Sequence, residues 1–316
     1  MDFVVAVDVG GTRIKAGLQA RDGTIAHTET TPTGVEHGTE AVVGEVGRVI
    51  RRLAERTTLA GDQPRAAGVA VPGVVDEASG TVRHAANIGW RDLPLGARLR
   101  SIAEIPTVLT HDVRAGGVAE GRVGAARGVR TFLFVAVGTG IGGAVIIDGN
   151  PLRGAHSAAA EVGHLRVANS HERCGCGATG CAETVASAEA IARRYRAERG
   201  WAVATAENVL AAARAGDERA QAIWDDAVEG LAQALLAAIT VLDPGLVVVG
   251  GGLASAGPAL FEPLRERLTA RSTVQAAVPV VPAMLADRAG CLGAGLLAWD
   301  HVAAAEGTND DPDSHA

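Results

Sequence analysis

The chain has 316 residues, a length that allows two domains of ordinary size. Its formal net charge of −7 argues against a nucleic-acid-binding protein, because phosphate backbones are bound by basic surfaces. Apolar residues make up 47% of the chain and aromatic residues only 3%, so its cores must be packed mainly from Ala, Val, Leu and Ile.

The sequence shows neither a targeting signal nor a membrane span. Met1 and Asp2 lead directly into an apolar segment, without a basic leader or a cleavage site. The longest apolar helical stretch, near 231–242, is too short to cross a bilayer. We therefore expect a cytoplasmic protein that binds neither membranes nor nucleic acid. The polar, acidic tail at 303–316 is expected to be disordered.

The first part of the chain shows strand patterns separated by glycine and proline turns. Apolar runs predict strands at 3–9, 14–18, 25–30 and 106–110, and at 66–75 with an interruption at Pro72-Gly73. Apolar residues at helical spacing predict a long helix at 39–59, and Pro94 suits the first turn of a short one.

The second part of the chain repeats this order and then becomes mainly helical. Strands are predicted at 131–137, 144–147, 246–249 and 278–281, and helical segments at 186–242, 258–268 and 291–302. Because strand, glycine turn and strand occur twice, at 3–18 and at 132–147, the sequence predicts two related halves. Strands that alternate with helices indicate an α/β architecture.

Three glycine-rich turns follow predicted strands, at 8–12, 138–143 and 250–252. Glycines let the backbone approach a phosphate closely and point N–H groups at it. Asp8 can hold Mg²⁺ directly or through water. A single turn of this kind is explained equally well as a hairpin without a ligand, but three at strand ends favour nucleotide binding. None fits the P-loop or a dinucleotide fingerprint, because a strand rather than a helix follows the first two.

A cluster of cysteines is the most specific signal in the sequence. Cys174, Cys176 and Cys181 are interleaved with glycines, and His164 lies upstream as a fourth ligand. Three sulfurs and one imidazole suit structural Zn²⁺, and this closed set leaves no position for a metal-activated water. Free thiols or disulfides are the alternative, which a reducing compartment disfavours. Cys291, in contrast, is interpreted as a small buried hydrophobic residue.

Two acidic residues flank this cluster. Glu161 precedes His164 by three residues, and Glu183 follows Cys181 by two. Carboxylates held rigidly can accept hydrogen bonds from hydroxyl groups, as sugar recognition requires. Each acid alone is explained equally well as a solvated surface charge, but their attachment to the metal site favours the binding role.

Together these motifs resemble the ROK (repressor, open reading frame, kinase) family of sugar kinases. The matching stretches run in family order over about 4–295: Asp8-Val-Gly-Gly-Thr12, Val71-Pro-Gly-Val-Val-Asp76, Asn87-Ile-Gly-Trp90, Asp112, Gly138-Thr-Gly-Ile-Gly-Gly143, Glu161-Val-Gly-His164, Cys174-Gly-Cys-Gly-Ala-Thr-Gly-Cys-Ala-Glu183 and Val249-Gly-Gly-Gly252. The resemblance implies an α/β, actin-like (ribonuclease H-like) two-domain sugar kinase fold with an interdomain cleft and a zinc knot. The expected domains are 1–112, completed by the helix at 291–302, and 113–290.

The resemblance also implies roles for individual residues. Asp112 would be the general base that accepts the proton of the sugar 6-hydroxyl. The sugar pocket would be formed by Gly73, Asn87, His111, Asp112, Glu161, His164 and Glu183. The phosphates of ATP with Mg²⁺, and its nucleoside, would be held by Asp8, Gly10, Gly11, Thr12, Thr139, Gly140, Gly251 and Gly252. Structural Zn²⁺ would be bound by His164, Cys174, Cys176 and Cys181, with the second ring nitrogen of His164 towards the sugar.

The sequence departs from the family pattern around the base. The usual Asn-Asp-Ala-Asn-Ala-Ala is replaced by His111-Asp112-Val113-Arg114-Ala115-Gly116. The family's asparagine contacts the middle of the sugar, near its 3-hydroxyl, so an imidazole there leaves the substrate open. Glucose is the first candidate, and kanosamine, N-acetylglucosamine and N-acetylmannosamine are alternatives. His111 is equally compatible with a hydrogen bond that replaces that of the asparagine and changes nothing.

Other functions within the family are less compatible with the sequence. Its repressors carry an N-terminal helix-turn-helix domain, for which the turn at Asp8 leaves no room. A sugar-sensing regulator without activity is disfavoured because Asp112 is retained beside the phosphate turns. The family also implies a homodimer or homotetramer, and it leaves polyphosphate open as an alternative phosphoryl donor.

Overall fold

The computed structural model describes residues 1–199, 204–274 and 277–307. The chain forms two compact units that are interleaved in sequence. Unit 1 consists of Met1–Ala119, Arg153–Ala158 and the described residues from Arg288 onward, and unit 2 of Glu120–Leu152 and Ala159–Asp287. Across the described ranges, every helix is too short or too polar to span a bilayer.

The strands and helices are numbered in chain order. The strands are β1 (Asp2–Val9), β2 (Arg13–Ala20), β3 (Ile25–Pro32), β4 (Gln63–Val71), β5 (Val74–Asp76), β6 (Thr81–Ala85), β7 (Trp90–Leu93), β8 (Thr107–His111), β9 (Phe132–Val137), β10 (Ile141–Ile147), β11 (Asn150–Pro151), β12 (Val247–Gly250) and β13 (Val280–Pro282). The α-helices are α1 (Thr39–Leu59), α2 (Leu95–Ala103), α3 (Asp112–Val123), α4 (Glu183–Ala186), α5 (Ala188–Arg199), α6 (Ala206–Arg214), α7 (Glu218–Leu242), α8 (Pro258–Arg271) and α9 (Ala289–Gly307).

Unit 1 is built on a five-stranded mixed sheet of order β3-β2-β1-β4-β8. Side chains alternate between the faces of a strand, so β1 serves two cores. Val5 and Val7 belong to one core with Val46 of α1. Val4 instead belongs to a core with Trp299 of α9. Helices therefore cover both faces of this sheet, while β5, β6 and β7 form a separate antiparallel sheet.

Unit 2 repeats the strand order of unit 1. Its sheet runs β11-β10-β9-β12-β13, with the first strand in the middle, antiparallel to the second and parallel to the fourth. In unit 1, β1 is likewise antiparallel to β2 and parallel to β4. The prediction of two related halves is confirmed at the level of sheet topology. In the core of unit 2, Val135 and Val249 pack with Leu235 of α7.

Most elements lie where the sequence predicts them, and α1 has the predicted bounds. The run at 66–75 is divided into β4 and β5, because Gly73 adopts a positive φ of 91° between them. The helical pattern at 186–242 is confirmed as α5, α6 and α7 over the residues that the structure describes.

Two segments differ from expectation at the C-terminus and at 153–158. The tail was expected to be disordered from 303, but α9 continues to Gly307, where Glu306 bonds Arg65 at 2.6 Å. Residues 308–316 of that tail lie outside the described residues. The segment Arg153–Ala158 groups with unit 1, although the predicted division assigns it to the second domain. Arg153 is held there by an ion pair with Glu77.

Backbones approach closely where α9 packs inside unit 1. A Cβ added at Gly293 of α9 would overlap the carbonyl oxygen of Ala115 in α3. A Cβ at Gly68 of β4 would in turn overlap the carbonyl oxygen of Ala294. These glycines therefore set the distance between α9, α3 and the sheet.

We expect Gly293→Ala to lower the free energy of unfolding by about 1–3 kcal/mol, as overpacking does. Gly307→Ala is the matched control, because it lies in the same helix with nothing within 4 Å of the added Cβ. Urea denaturation followed by circular dichroism measures both variants. Equal stability of the two variants would contradict this account of the packing.

Candidate functional site

Several of the predicted site residues of unit 1 lie at or just after the carboxyl ends of its three parallel strands. In the sheet register Asp8 of β1 is level with Ala70 of β4, and Val71 of β4 is level with His111 of β8. The turn after β1, the turn after β4 and the start of α3 thus share one edge of the sheet. Open α/β sheets bind ligands outside the carboxyl ends of their strands.

The first glycine turn joins β1 to β2 tightly. The Gly10 N–H donates to the Arg13 carbonyl at 2.9 Å, and the Thr33 hydroxyl donates to the Gly10 carbonyl at 2.6 Å. Gly11 is more open, because a Cβ there would lie 3.9 Å from the side-chain nitrogen of Asn87. Asn87 therefore lies beside this turn, although far from it in sequence.

Asp8 is fixed by packing at the end of β1. A Cβ at Gly290, in the first turn of α9, would lie 2.8 Å from its carboxylate. The backbone at the start of α9 can approach only because residue 290 has no side chain. A carboxylate held in this way is a suitable single protein ligand for Mg²⁺, which keeps most of its waters.

Gly73 is required by the turn between β4 and β5. Its φ is +91°, and a Cβ there would overlap the carbonyl oxygen of His84 in β6. The turn therefore packs directly on the small sheet of β5, β6 and β7, the last two of which are joined through Asn87.

Asp112 is the first residue of α3 and directly follows β8. Its Oδ1 atom accepts a hydrogen bond from the Val113 N–H at 2.7 Å. Burial raises the pKa of Asp112 to about 6, against the lowering effects of the Val113 N–H and the Arg114 charge. A carboxylate with a pKa near neutrality is suited to accept a proton during a reaction.

A buried ion network, which the sequence analysis missed, lies beside Asp112. Glu77 Oε1 accepts hydrogen bonds from Arg114 Nε at 2.9 Å and from the Thr110 hydroxyl at 2.9 Å. Its other oxygen accepts from Arg153. Arg114 is only 2% exposed and also donates to the carbonyls of Val75 and Ser157.

Charges dominate the ionisation of Glu77 in this network. Burial raises its pKa, but the charges of Arg114 and Arg153 and the hydrogen bonds from Arg153 and Thr110 outweigh burial, so the pKa lies below its usual value. One signal could have revealed the network, since Arg114 stands where the resembled family has asparagine. Its partner Glu77 carried no signal, because the contact joins residues far apart in sequence.

In unit 2 the four predicted metal ligands converge. The ligand atoms of His164, Cys174, Cys176 and Cys181 all lie within 4.8 Å of one another. The sulfurs of Cys176 and Cys181 are 3.7 Å apart, and Cys174 Sγ is 3.7 Å from His164 Nδ1. A tetrahedron with Zn–S bonds of about 2.3 Å has edges of about 3.8 Å, so this geometry fits Zn²⁺.

Backbone hydrogen bonds close the loop around this cluster. The Cys174 N–H donates to the Ala178 carbonyl at 2.7 Å, and Gly177 has a φ of +90° in the turn between them. Burial raises the pKa of the Cys181 thiol to about 12, whereas hydrogen bonds from the Ala178 backbone and from Cys174 lower the pKa of Cys176. Binding of Zn²⁺ to such a cluster would release the thiol protons.

Glu161 and His164 lie at a single turn rather than on a helix of normal length. Val162–His164 is a short 3₁₀ turn with Glu161 directly before it. A Cβ at Gly163 would overlap the carbonyl oxygen of Ile141, so this turn packs on β10. Because Nδ1 of His164 faces the sulfur of Cys174, Nε2 is the ring nitrogen left for a ligand.

Glu183 connects the metal cluster to the second glycine turn. Its Oε2 accepts a hydrogen bond from the Ile141 N–H at 2.9 Å, and its Oε1 lies 3.8 Å from Cys174 Sγ. A Cβ at Gly140 would overlap this carboxylate. Glu183 therefore contacts both the predicted phosphate turn and a metal ligand.

The second and third glycine turns meet beside a cavity of about 470 Å³. Thr139 and Gly252 line it, together with Ala206 and Leu210 of α6. Gly251 has a φ of +79°, and a Cβ there would overlap the carbonyl oxygen of Val137 at the end of β9. An apolar cavity beside two open backbone turns can accept a flat ring next to phosphates.

The predicted site residues thus form two groups, each at one sheet edge of its own unit. The group in unit 1 consists of Asp8, Gly10, Gly11, Thr12, Gly73, Asn87, His111 and Asp112. The group in unit 2 consists of Thr139, Gly140, Glu161, His164, Cys174, Cys176, Cys181, Glu183, Gly251 and Gly252.

Comparison with known proteins identifies the family of the chain. The family profile described as "ROK family" matches residues 4–301. A glucokinase of Thermotoga maritima is 33% identical over 95% of this chain and 98% of its own length. A kanosamine kinase of Amycolatopsis mediterranei is 32% identical over 94% of this chain and 96% of its own. The crystal structure of a ROK family glucokinase from Streptomyces griseus, in complex with glucose and AMPPNP, is 29% identical with a TM-score of 0.81 over 94% and 99% of the two chains.

We expect the purified protein to contain about one zinc ion per chain, measured by plasma mass spectrometry. Cys176→Ala should lose most of it, because a ligand is removed, and Cys176 is exposed, so no cavity is left behind. Cys291→Ala is the control, since this buried thiol donates to the Ala6 carbonyl and lies outside the cluster. Full zinc content in Cys176→Ala would contradict the ligand assignment.

Proposed function

The chain belongs to the ROK family, and on this premise we propose that it is a sugar kinase that transfers a phosphoryl group from ATP to the 6-hydroxyl of glucose or a close derivative. The observation that carries the proposal is Asp112, a carboxylate with raised pKa at the same sheet edge as a glycine turn. Phosphoryl transfer needs a positioned base and a cradle for phosphates more than it needs covalent chemistry.

Asp112 is the proposed general base. As the sugar O–H bond breaks, its proton passes to the carboxylate, and the hydroxyl oxygen bonds to the γ-phosphorus. The bond from this phosphorus to the bridging oxygen breaks, and ADP leaves. A pKa of about 6 leaves Asp112 mostly ionised at pH 7 and still basic enough for this role.

The proposed sugar-binding residues come from both units. Gly73 and Asn87 in unit 1 and Glu161, His164 and Glu183 in unit 2 are assigned to the sugar on the strength of the family motifs. Support from the structure is local. The short turn at Val162–His164 leaves His164 Nε2 for a hydroxyl partner, while Nδ1 faces Cys174.

The proposed nucleotide site uses the glycine turns. Gly10, Gly11, Thr12, Thr139 and Gly140 are assigned to the phosphates. Gly251 and Gly252 are assigned to the nucleoside, which fits the cavity that Gly252 lines. Asp8 is the proposed carboxylate for Mg²⁺, which would neutralise charge on the transferred group.

The proposed role of Zn²⁺ is structural. His164, Cys174, Cys176 and Cys181 would fill a tetrahedral shell, so the ion would supply charge and crosslinking rather than a reactive water. The ligand His164 and the neighbouring carboxylate of Glu183 would be held in position by it. The ion would thus stabilise the proposed sugar-binding side of unit 2.

The finer architecture is part of the same proposal. An actin-like, two-domain fold is supported by the identical strand order of the two sheets. The domains predicted from the sequence, 1–112 with the C-terminal helix and 113–290, differ from units 1 and 2 at 113–119, Arg153–Ala158 and 288–290, all of which group with unit 1. A homodimer or homotetramer, a cytoplasmic location and the lack of nucleic-acid binding remain predictions.

A second candidate is kinase activity on an amino sugar. The observations that favour it are the replacement of the family's asparagine by His111 and the similarity to a kanosamine kinase. An ADP-release assay with glucose, kanosamine, N-acetylglucosamine and N-acetylmannosamine compares the candidates directly. Turnover of none of these sugars would overturn the proposed function.

We expect Asp112→Asn to lower kcat by about 10²–10⁴-fold, because the amide cannot accept the proton. Sugar binding, measured by calorimetry, and zinc content should be nearly unchanged. Asp243→Asn is the control, because Asp243 is an exposed residue whose positive φ of 44° asparagine tolerates. Near-normal turnover in Asp112→Asn would refute its role as the base.

The pH dependence of kcat/KM should follow Asp112. Its pKa is raised, and the ionised form is the active one, so activity is lost as pH falls through about 6. Below that value kcat/KM should fall about tenfold for each pH unit, and above it the profile should level off. Direct detection of the sugar phosphate over about pH 5 to 8 makes the test. A flat profile would contradict the assignment.

A further inference from the structure

We propose that His111 is a positioning residue for the carboxylate of Asp112, not a group that recognises the sugar. This inference rests on the proposed function, in which Asp112 is the base. It concerns the histidine that replaces the family's asparagine, and it assigns to its imidazole a partner within the protein.

The geometry around Asp112 Oδ1 carries the proposal. His111 Nε2 lies 3.1 Å from this oxygen, within hydrogen-bond distance. The Val113 N–H donates to the same oxygen at 2.7 Å. The Val113 N–H and the nearby His111 imidazole both lie against Oδ1 and so restrict rotation of the carboxylate about its Cβ–Cγ bond, which leaves Oδ2 as the oxygen that accepts the substrate proton.

The imidazole is not free to leave this contact easily. His111 is 8% exposed at the end of β8, where its backbone pairs with β4. The backbone N–H of His111 also donates to Glu77 Oε1, with the nitrogen 3.4 Å from that oxygen. The neighbouring Thr110 and Arg114 are bonded to the same carboxylate, so the backbone on both sides of the pair is anchored.

The charged groups around the pair explain why an oriented donor matters. Arg114 directs its guanidinium to Glu77 and to two carbonyls, so its hydrogen bonds are used away from Asp112. The His111 imidazole, 3.1 Å from Oδ1, is placed to orient the base.

The test replaces His111 in two ways. In His111→Gln the side-chain nitrogen is as many bonds from Cβ as Nε2 of histidine, so the hydrogen bond can be kept. In His111→Leu it is lost. His301→Leu is the matched control, because His301 is an exposed residue of α9. For each variant, kcat and KM are measured with glucose and with kanosamine.

We expect His111→Leu to lower kcat by about 10–100-fold, the usual effect of losing an orienting partner, with sugar KM within about twofold. His111→Gln should restore kcat to within about threefold of the unchanged protein. The ratio of kcat/KM for the two sugars should stay the same in both variants. These results would separate orientation of the base from recognition of the sugar.

Other outcomes overturn the inference. Unchanged kcat in His111→Leu would show that the contact of His111 with Asp112 does not affect catalysis. Equal losses of kcat in His111→Leu and His111→Gln would show that a hydrogen bond from residue 111 is not what orients the base. A raised KM with a changed sugar ratio would assign His111 to the substrate. If the leucine variant fails to melt cooperatively, His111→Met replaces it, because methionine adapts to irregular space. Inactivity of the unchanged protein towards every sugar would instead count against the proposed function.

Discussion

The arrangement of the predicted site in unit 2 depends on the contacts of the Glu183 carboxylate. It accepts the N–H of Ile141 in the turn after β9, and its other oxygen lies near Cys174 of the metal cluster. Gly140 has no side chain where this carboxylate lies. The Glu183 carboxylate therefore contacts Gly140, the Ile141 N–H and the predicted metal ligand Cys174 at the same time. Displacement of the cluster would displace the turn as well.

The two five-stranded sheets have the same strand order. In each of them the first strand is central, so the turns that follow the parallel strands end at one edge. In unit 1 this edge carries the first glycine turn and Asp112, the proposed base. In unit 2 it carries the second and third glycine turns. A repeated strand order therefore supplies two edges at which phosphates are proposed to bind, and the chain between the strands supplies the predicted zinc ligands.

Much of this could be predicted from the sequence, because the signals are local. Three cysteines within one short loop have few ways to fold other than around a common centre. The glycine turns follow apolar strands directly, and α1 has an uninterrupted helical period. The start of α3 at Asp112 was missed. Its sequence contains Gly116 and Gly121, which weaken any helical pattern. The close packing of α3 against α9 favours the helix instead.

The sequence by itself determined which residue types are available for the proposed site: three cysteines and a histidine that fit zinc, an aspartate proposed as the base, and three glycine turns. Only the tertiary structure decided how that aspartate is held. The contact of His111 with Asp112 is a matter of side-chain direction, and the pairing of Glu77 with Arg114 and Arg153 joins distant parts of the chain. Buried charges are stable only when paired, and a pair of this kind has no sequence period that could reveal it. The physical reason is that local patterns record backbone preference and burial, whereas the partners of a buried charge are chosen by the fold.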